Sequence, residues 1–518
     1  MSARSMSPAQ SSNRIAESMR WWALAAVLIT MFFSSMDQTV VSTAMPSIIG
    51  QLKGLSLYSW VFTAYMMASA VTVPIYGKLA DQYGRKPVLM FAALLFLLGS
   101  ILSGLSWGMV PLVVFRGIQG LGAGGILPIA TTVVGDLYSV EERARIQGFL
   151  SSVWGISAVI GPAIGGLLVQ FASWHWIFFI NMPLGAAALW QIQSYLHEEV
   201  AHRRHRIDFQ GSALLLAGMV LIILDLLEGG VGWRWGSAPS VLVMAAGILS
   251  LTAFVVVEIR AKEPVLPLWV FQDRFLVGAN LGSMMVGLMS IGLSSFLPTF
   301  VQGVQGATPL IAGFALAAMS IGWPLSSSQA GKLYLRVGFQ RTALVGGVIA
   351  VIASLLFASL SVGSTPPEAA AASFVLGSGL GLMSTSLVVA VQASVDWSRR
   401  GVVTGANMFT RNVGSAVGAA VFGSILNGRL LDRLSRAPGH VRAALPSGLD
   451  AASLSVGSHL HIPPAVHAFV ASALDFGIHG VFLALLAAAV LGVLMVMIMP
   501  HQTVGESAAA TPRAAPDD

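Results

Sequence analysis

Apolar runs of about 18–25 residues recur along the chain, each long enough to cross ~30 Å of hydrocarbon as an α-helix. Most charges fall outside them, in the hinges, loops and tails. In lipid every backbone amide needs a partner within the protein, and a helix supplies it locally. The alternation over about ten residues that a membrane β-barrel requires is absent. Only 10% of the 518 residues are Asp, Glu, Lys or Arg, against 55% apolar. A chain of this length could not stay dispersed in water with so few charges. The expected fold class is an all-α membrane protein.

Several chemistries are excluded by the residues themselves. The chain has no cysteine, which rules out disulfides and thiolate metal sites. Its ten His are scattered, with no pair at helix-face metal spacing beside a carboxylate. Gly77-Lys78 and Gly331-Lys332 are each followed by Leu, so neither is a P-loop and an ATP motor is not expected. No catalytic constellation or cofactor motif appears, and an enzyme is not expected. A pI near 9.8 can signal nucleic acid. Here the Lys and Arg lie in hinges between spans, where topology explains them better.

Fourteen spans are expected, near residues 21–46, 57–77, 88–107, 109–135, 146–170, 174–196, 211–228, 238–258, 274–301, 308–330, 341–362, 368–393, 400–427 and 476–499. With a cytoplasmic N-terminus, only Lys53, Arg234, Arg429, Arg433, Arg436 and Arg442 fall outside, and Arg116 and Arg411 fall within spans. The rest of the 28 Lys and Arg are cytoplasmic. That bias places both termini inside and the protein in the cell (inner) membrane. The reading divides the chain into a cytoplasmic tail at 1–20, a six-helix bundle at 21–200 and an inserted helix pair at 201–262. A second six-helix bundle follows at 263–500, then a disordered tail at 501–518. The external loop at 428–475 is the segment available to a periplasmic adaptor protein.

The hinge Gly77-Lys78-Leu79-Ala80-Asp81-Gln82-Tyr83-Gly84-Arg85-Lys86-Pro87 aligns without gaps to Gly331-Lys332-Leu333-Tyr334-Leu335-Arg336-Val337-Gly338-Phe339-Gln340-Arg341. Both copies follow an apolar run and open another. Parallel halves around a midplane site are a known transporter plan. Positive-inside charge explains Lys78, Arg85 and Lys86, but not Asp81 or the two glycines. Gly77 and Gly84 allow close approach and non-helical dihedrals. Asp81 suits a helix N-terminus, where backbone N–H groups are free. Arg85 can reach Asp136 at the end of span 4. Leu335 stands where Asp81 would, so the second copy's contact should be weaker or different.

Four blocks resemble the major facilitator superfamily, and within it the fourteen-helix drug:proton antiporter branch of the EmrB/QacA type. They are the hinge at 77–87, Arg116-Gly117-Ile118-Gln119-Gly120-Leu121-Gly122-Ala123, Gly161-Pro162-Ala163-Ile164-Gly165-Gly166, and Asp37-Gln38-Thr39-Val40-Val41-Ser42-Thr43-Ala44-Met45-Pro46. Ser42, Met45 and Ser157 depart from the branch's usual Asn, Leu and Gly. The resemblance implies two six-helix bundles with an inserted pair. It implies that Asp81 meets the start of span 13 near Ser398–Gly401, and that the fifth-span block typifies exporters. It also implies proton-coupled antiport of drugs or other lipophilic molecules.

The residues themselves permit that chemistry. At 1.5 Å per residue, Asp37 lies roughly 22 Å from the inner edge of span 1 and Arg116 roughly 10 Å from the outer edge of span 4. Those depths are similar, so the two can pair. Burial makes a carboxylate hold its proton, and a guanidinium beside it opposes that; parting such a pair changes proton affinity. A static ion pair that only orders helices is the alternative, and which residue would carry the proton stays open. Gly161 and Gly165 form a small-residue face, and Pro162 removes a backbone donor; plain helix packing would explain them too. Asn407, Arg411, Gly414, Ser415 and Gly418 share one face, where Arg411 either meets an anionic group or packs. Substrate-lining candidates are Gln119, Trp154, Asn280, Met284, Phe296, Asn407 and Arg411, and span 10 contains no acid. The expected partners are a lipophilic small molecule, protons and membrane lipid. The alternatives are a dedicated metabolite, lipid or siderophore transporter and, less readily, a membrane sensor, for which the tails at 1–20 and 501–518 are short.

Overall fold

The computed structural model describes residues 8–52, 57–196, 208–229, 233–261, 268–438 and 464–501, with Glu198, Pro264 and Leu266 between them. Among these residues the regular elements are all helical. The only strand-type pairing among them is an isolated bridge between Gly229 and Trp233. The helices are α1 Pro8–Leu52, α2 Tyr58–Tyr83, α3 Arg85–Gly104, α4 Met109–Leu137, α5 Val140–Phe171, α6 Trp176–Phe179, α7 Asn181–Tyr195, α8 Phe209–Glu228, α9 Ala238–Arg260, α10 Arg274–Gly303, α11 Pro309–Val337, α12 Phe339–Ser359, α13 Pro366–Ala393, α14 Arg400–Ser435 and α15 Pro464–Met497.

Among the described residues ten helices are long and apolar enough to cross a membrane. α7 has 15 residues, and the apolar stretch described within α8 is Gln210–Leu226. Three expected boundaries move. The helix of α1 starts at Pro8, inside the expected tail at 1–20. The expected span at 174–196 is broken at Ile180 into α6 and α7. The loop at 428–475 is shorter, because α14 runs to Ser435 and α15 starts at Pro464. Residues 439–463 of that loop, the connection at 201–207 and the tail from 502 onward lie outside the described residues.

Local chemistry sets many helix ends. Glu142 and Ser139 form a reciprocal capping box at the start of α5, as do Glu368 and Thr365 at α13. Asp273 accepts from the Phe275 and Leu276 amides and caps α10. Gly84 and Gly338 hold φ of 95° and 87°, a region other residues rarely adopt. They occupy the same position in the two hinge copies, where α2 turns into α3 and α11 into α12.

Packing follows chain order. α4 lies between α2 and α3, while α1 packs on α5 and α7. α10 packs on α14 and α15, α13 on α11 and α12, and α8 on α9. Two apolar clusters draw on α1–α7, and a larger one draws on α8–α15 with Met67, Val71 and Val73 of α2. The two sets of helices meet chiefly along α5 with α11 and α2 with α14.

Candidate functional site

The deepest polar cluster joins α1, α4 and α7. Arg116 Nη1 donates to Asp37 Oδ2, and neither side chain has exposed surface. Gln119 Nε2 donates to Asp37 Oδ1 at 2.8 Å, while its Oε1 accepts from Arg116 Nη1 at 2.7 Å. Asn181 Nδ2 also donates to Asp37 Oδ1, at 3.1 Å, and to Ser100 Oγ at 3.0 Å. The guanidinium lies 4.2 Å from the centre of the Tyr65 ring. Arg116 Nη2 finds no hydrogen-bond partner among the described residues. Donors from α4 and α7 thus converge on one carboxylate with no exposed surface, and any rearrangement of α1 against them changes its set of partners.

Two points differ from the sequence reading. Gln119, expected to line the substrate path, is fully buried and taken up by the ion pair. Asn181 has no place among the sequence-level candidates. Its signal was the break itself: an Asn-Met-Pro step inside an otherwise apolar run. Asn181 is the first residue of α7, which packs on α1, and its side chain is buried.

A second cluster forms at the hinge. Asp81 Oδ1 accepts from the Gly401 amide at 2.9 Å and Oδ2 from the Val402 amide at 2.7 Å, at the N-terminus of α14. Free N–H groups and the helix dipole both favour an anion there. Arg85 pairs with Asp81 at 2.9 Å and, through Nε, with Asp136 at 2.9 Å. Its guanidinium stacks 3.9 Å from the centre of the Trp397 ring. Arg400 Nη1 reaches Asp136 Oδ1 at 2.9 Å. A cavity of about 260 Å³ lies beside this network, lined by Arg85, Asp136, Glu198 and Trp397 among others. Burial pushes the Asp81 carboxyl up to about 7, outweighing Arg85 and the two α14 amides. Gly77 is required by proximity: a Cβ there would stand 3.2 Å from the Gly401 carbonyl carbon and 3.3 Å from Gly405 Cα.

The second hinge copy makes a different contact. Tyr334 donates its hydroxyl to the Val140 carbonyl at the start of α5. Gln392 Nε2 in α13 donates to Thr131 O of α4 at 3.1 Å. Buried Arg143 donates to Gly135 O at 2.5 Å and Tyr138 O at 3.0 Å. Burial lowers its guanidinium to about 10. The Tyr334 and Gln392 bonds, with those of Asp81 and Arg400, join the two sets of helices at the hinge end and close it, while those of Arg143 tie α5 to the end of α4.

In α5 the backbone stays helical through Gly161–Gly166, and the side chain of Pro162 lies outside the described residues. Gly161 and Gly165 face α1: a Cβ on Gly161 would meet the Thr39 hydroxyl, and one on Gly165 the Thr43 hydroxyl. Gly166 meets nothing within 4 Å. In the second half Asn407 Nδ2 donates to Asn280 Oδ1 at 3.1 Å, and both side chains are buried. The backbone of Met284 lies against Gly414, where no Cβ would fit. Phe296 packs edge-on against Phe422 at 6.3 Å. Trp154 is 43% exposed. Asn280 and Asn407 are buried in this state and bonded to each other, and Asn280 Nδ2 has no acceptor among the described residues.

A sequence profile of the Major Facilitator Superfamily matches residues 27–419. The Multidrug transporter protein MdtP of Bacillus subtilis (strain 168) is 34% identical over 413 residues, covering 80% of this chain and 76% of the relative. Multidrug resistance protein 3 of the same organism is 32% identical over 499 residues, 95% of this chain and 98% of the relative. The crystal structure of the human organic anion transporter MFSD10 matches in fold, with TM-score 0.61 at 14% identity over 92% of this chain and 99% of that one. The chain belongs to the Major Facilitator Superfamily and is a multi-pass membrane transporter, with proteins named for multidrug transport, multidrug resistance and efflux among its relatives.

Proposed function

We propose that the chain is a proton-coupled exporter of drugs or other lipophilic small molecules, working by alternating access. The observation that carries this reading is the buried Asp37–Arg116 pair, satisfied by Gln119 and Asn181 from two helices. An ionised group this deep in hydrocarbon costs at least ~2.5–3.5 kcal/mol, so a pair placed there calls for a use beyond packing. Asp37 takes up a proton when Arg116 moves away, and returns it when they re-pair. A proton moving inward gains ~2.3 kcal/mol per 100 mV. Relatives named efflux pumps support the outward direction, and so does the fifth-span block.

In this reading fourteen helices span the inner membrane, with both termini cytoplasmic. Residues 21–200 and 263–500 form the two six-helix bundles, and α8 with α9 is the inserted pair. The hinge end is then cytoplasmic, and its closed contacts correspond to an outward-facing state. Asp81, Arg85 and Asp136 hold that state, with Gly77 and Gly84 allowing the approach.

The test is gradient-driven flux in proteoliposomes, comparing wild type with Asp37→Asn. The substrates are ethidium and the neutral N-phenyl-1-naphthylamine. Wild type should accumulate at least one of them when a pH gradient is imposed, and Asp37→Asn should lose the gradient response while keeping downhill exchange. Equal gradient-driven flux in both proteins would sink the coupling role of Asp37. Absence of flux for every lipophile would favour a dedicated metabolite transporter of the same fold.

A further inference from the structure

One intramembrane cation has no counter-charge. The guanidinium of Arg411 forms no hydrogen bond, ion pair or ring contact among the described residues, and no carboxylate stands near it. At 1.5 Å per residue it lies ~16 Å along α14 from Arg400, near the middle of a ~30 Å hydrocarbon layer. It sits on the face of α14 that buries Thr404, Asn407, Gly414, Gly418 and Phe422, so it points into the helix assembly. It is nevertheless only partly buried. Its open part therefore looks into the interior between helices. An unpaired cation at this depth is costly unless something in that interior meets it.

The amides one turn away have the same polarity. Ser283 Oγ donates to Asn407 Oδ1 at 3.1 Å, and Asn407 Nδ2 donates to Asn280 Oδ1 at 3.1 Å. This run of bonds ends on Asn280 Nδ2, a buried donor with no acceptor among the described residues. Both unmet groups are thus donors. Across the interior, Asp37 has its oxygens occupied by Arg116, Gln119 and Asn181 and offers no counter-charge. A free acceptor is what this wall lacks.

We propose that Arg411, supported by Asn280, binds an anionic group of the transported molecule, so that the substrate class is lipophilic organic anions rather than cations. The proposal rests on the exporter reading for its direction of transport, but the binding itself does not require a proton gradient. A guanidinium beside an amide donor suits a carboxylate or sulfonate, and Met284 and Phe296 of α10 offer apolar surface to its body.

The test is equilibrium binding to the full chain in nanodiscs, with empty-nanodisc subtraction and no gradient. The probes are 1-anilinonaphthalene-8-sulfonate, its uncharged analogue N-phenyl-1-naphthylamine, and ethidium. The sulfonate should bind at least about tenfold more tightly than the uncharged analogue, or about 1.4 kcal/mol. Arg411→Gln should remove that preference while leaving the uncharged analogue within about twofold, and Arg411→Lys should restore part of it. Should Arg411→Gln fail to fold, the wild-type ranking and Arg411→Lys still decide. Equal wild-type affinity for sulfonate and analogue, or tighter ethidium binding, would overturn the proposal. So would a preference that survives Arg411→Gln. Arg411-dependent anion binding without gradient-driven flux would sink only the exporter reading. Gradient-driven flux of the neutral probe without anion preference would sink only the anion site.

Discussion

At the scale of single residues, the Asp37 carboxylate is defined by its donors. Arg116, Gln119 and Asn181 come from α4 and α7, and each bond is made between buried side chains. Asn181→Leu removes one charge-assisted bond worth about 1.5–3 kcal/mol and leaves Ser100 without its amide partner. The expected result is a melting temperature in detergent lower by a few degrees, with slower gradient-driven transport; an unchanged melting curve would mean the amide is not bonded there. Arg116→Leu should be more severe, because it strands a buried carboxylate, a change that costs about 3–5 kcal/mol. Asp37 and Arg116 were legible in the sequence because acids and bases are so rare within the spans. Asn181 was not, since a single Asn in an apolar run has many uses, and only the packing of α7 on α1 brings it to Asp37.

At the scale of helices, small residues decide how closely α5 and α1 pack. Gly161→Ala and Gly165→Ala put a methyl group on Thr39 and Thr43, whose hydroxyls are already bonded to α1 carbonyls. Both should reduce stability and transport, whereas Gly166→Ala, with open space around it, should be near wild type in both assays. A uniform effect at all three would argue for backbone flexibility rather than packing. The two hinge copies show the same logic with different chemistry. Each turns at a positive-φ glycine, but the first grips α14 through Asp81 and the second grips α5 through Tyr334. The sequence reading foresaw a different second contact from Leu335; it did not identify Tyr334, because a Tyr beside a hinge does not say which carbonyl it will reach. Tyr334→Phe should shift the conformational balance toward opening at the hinge end, measured by spin-label distances between the hinge loops, without loss of membrane insertion.

At the scale of the whole molecule, the hinge contacts couple the closed state to pH. Burial raises Asp81 to about 7 while the contact is made. Opening returns the carboxyl to water and toward its ordinary value near 3.8. The closed state therefore binds the proton more tightly, is favoured below pH 7, and loses that advantage as pH rises through 7. Between pH 8 and pH 6 the closed-to-open ratio should rise roughly tenfold, and Asp81→Asn should flatten the response. Spin-label distances at the two pH values measure it; a ratio that falls on acidification would refute it. By itself the sequence determined that this chain is a set of helices in a membrane, since hydrocarbon leaves no other economical use for long apolar runs with most charges outside them. It also singled out the hinge, Asp37 and Arg116, because charges within or beside lipid are too costly to place at random. Only the tertiary structure decided which helix each of them meets. Asp81 finds α14 and Asp37 finds α4 and α7 across long separations in sequence, and those pairings depend on how whole helices pack rather than on any local pattern of residues.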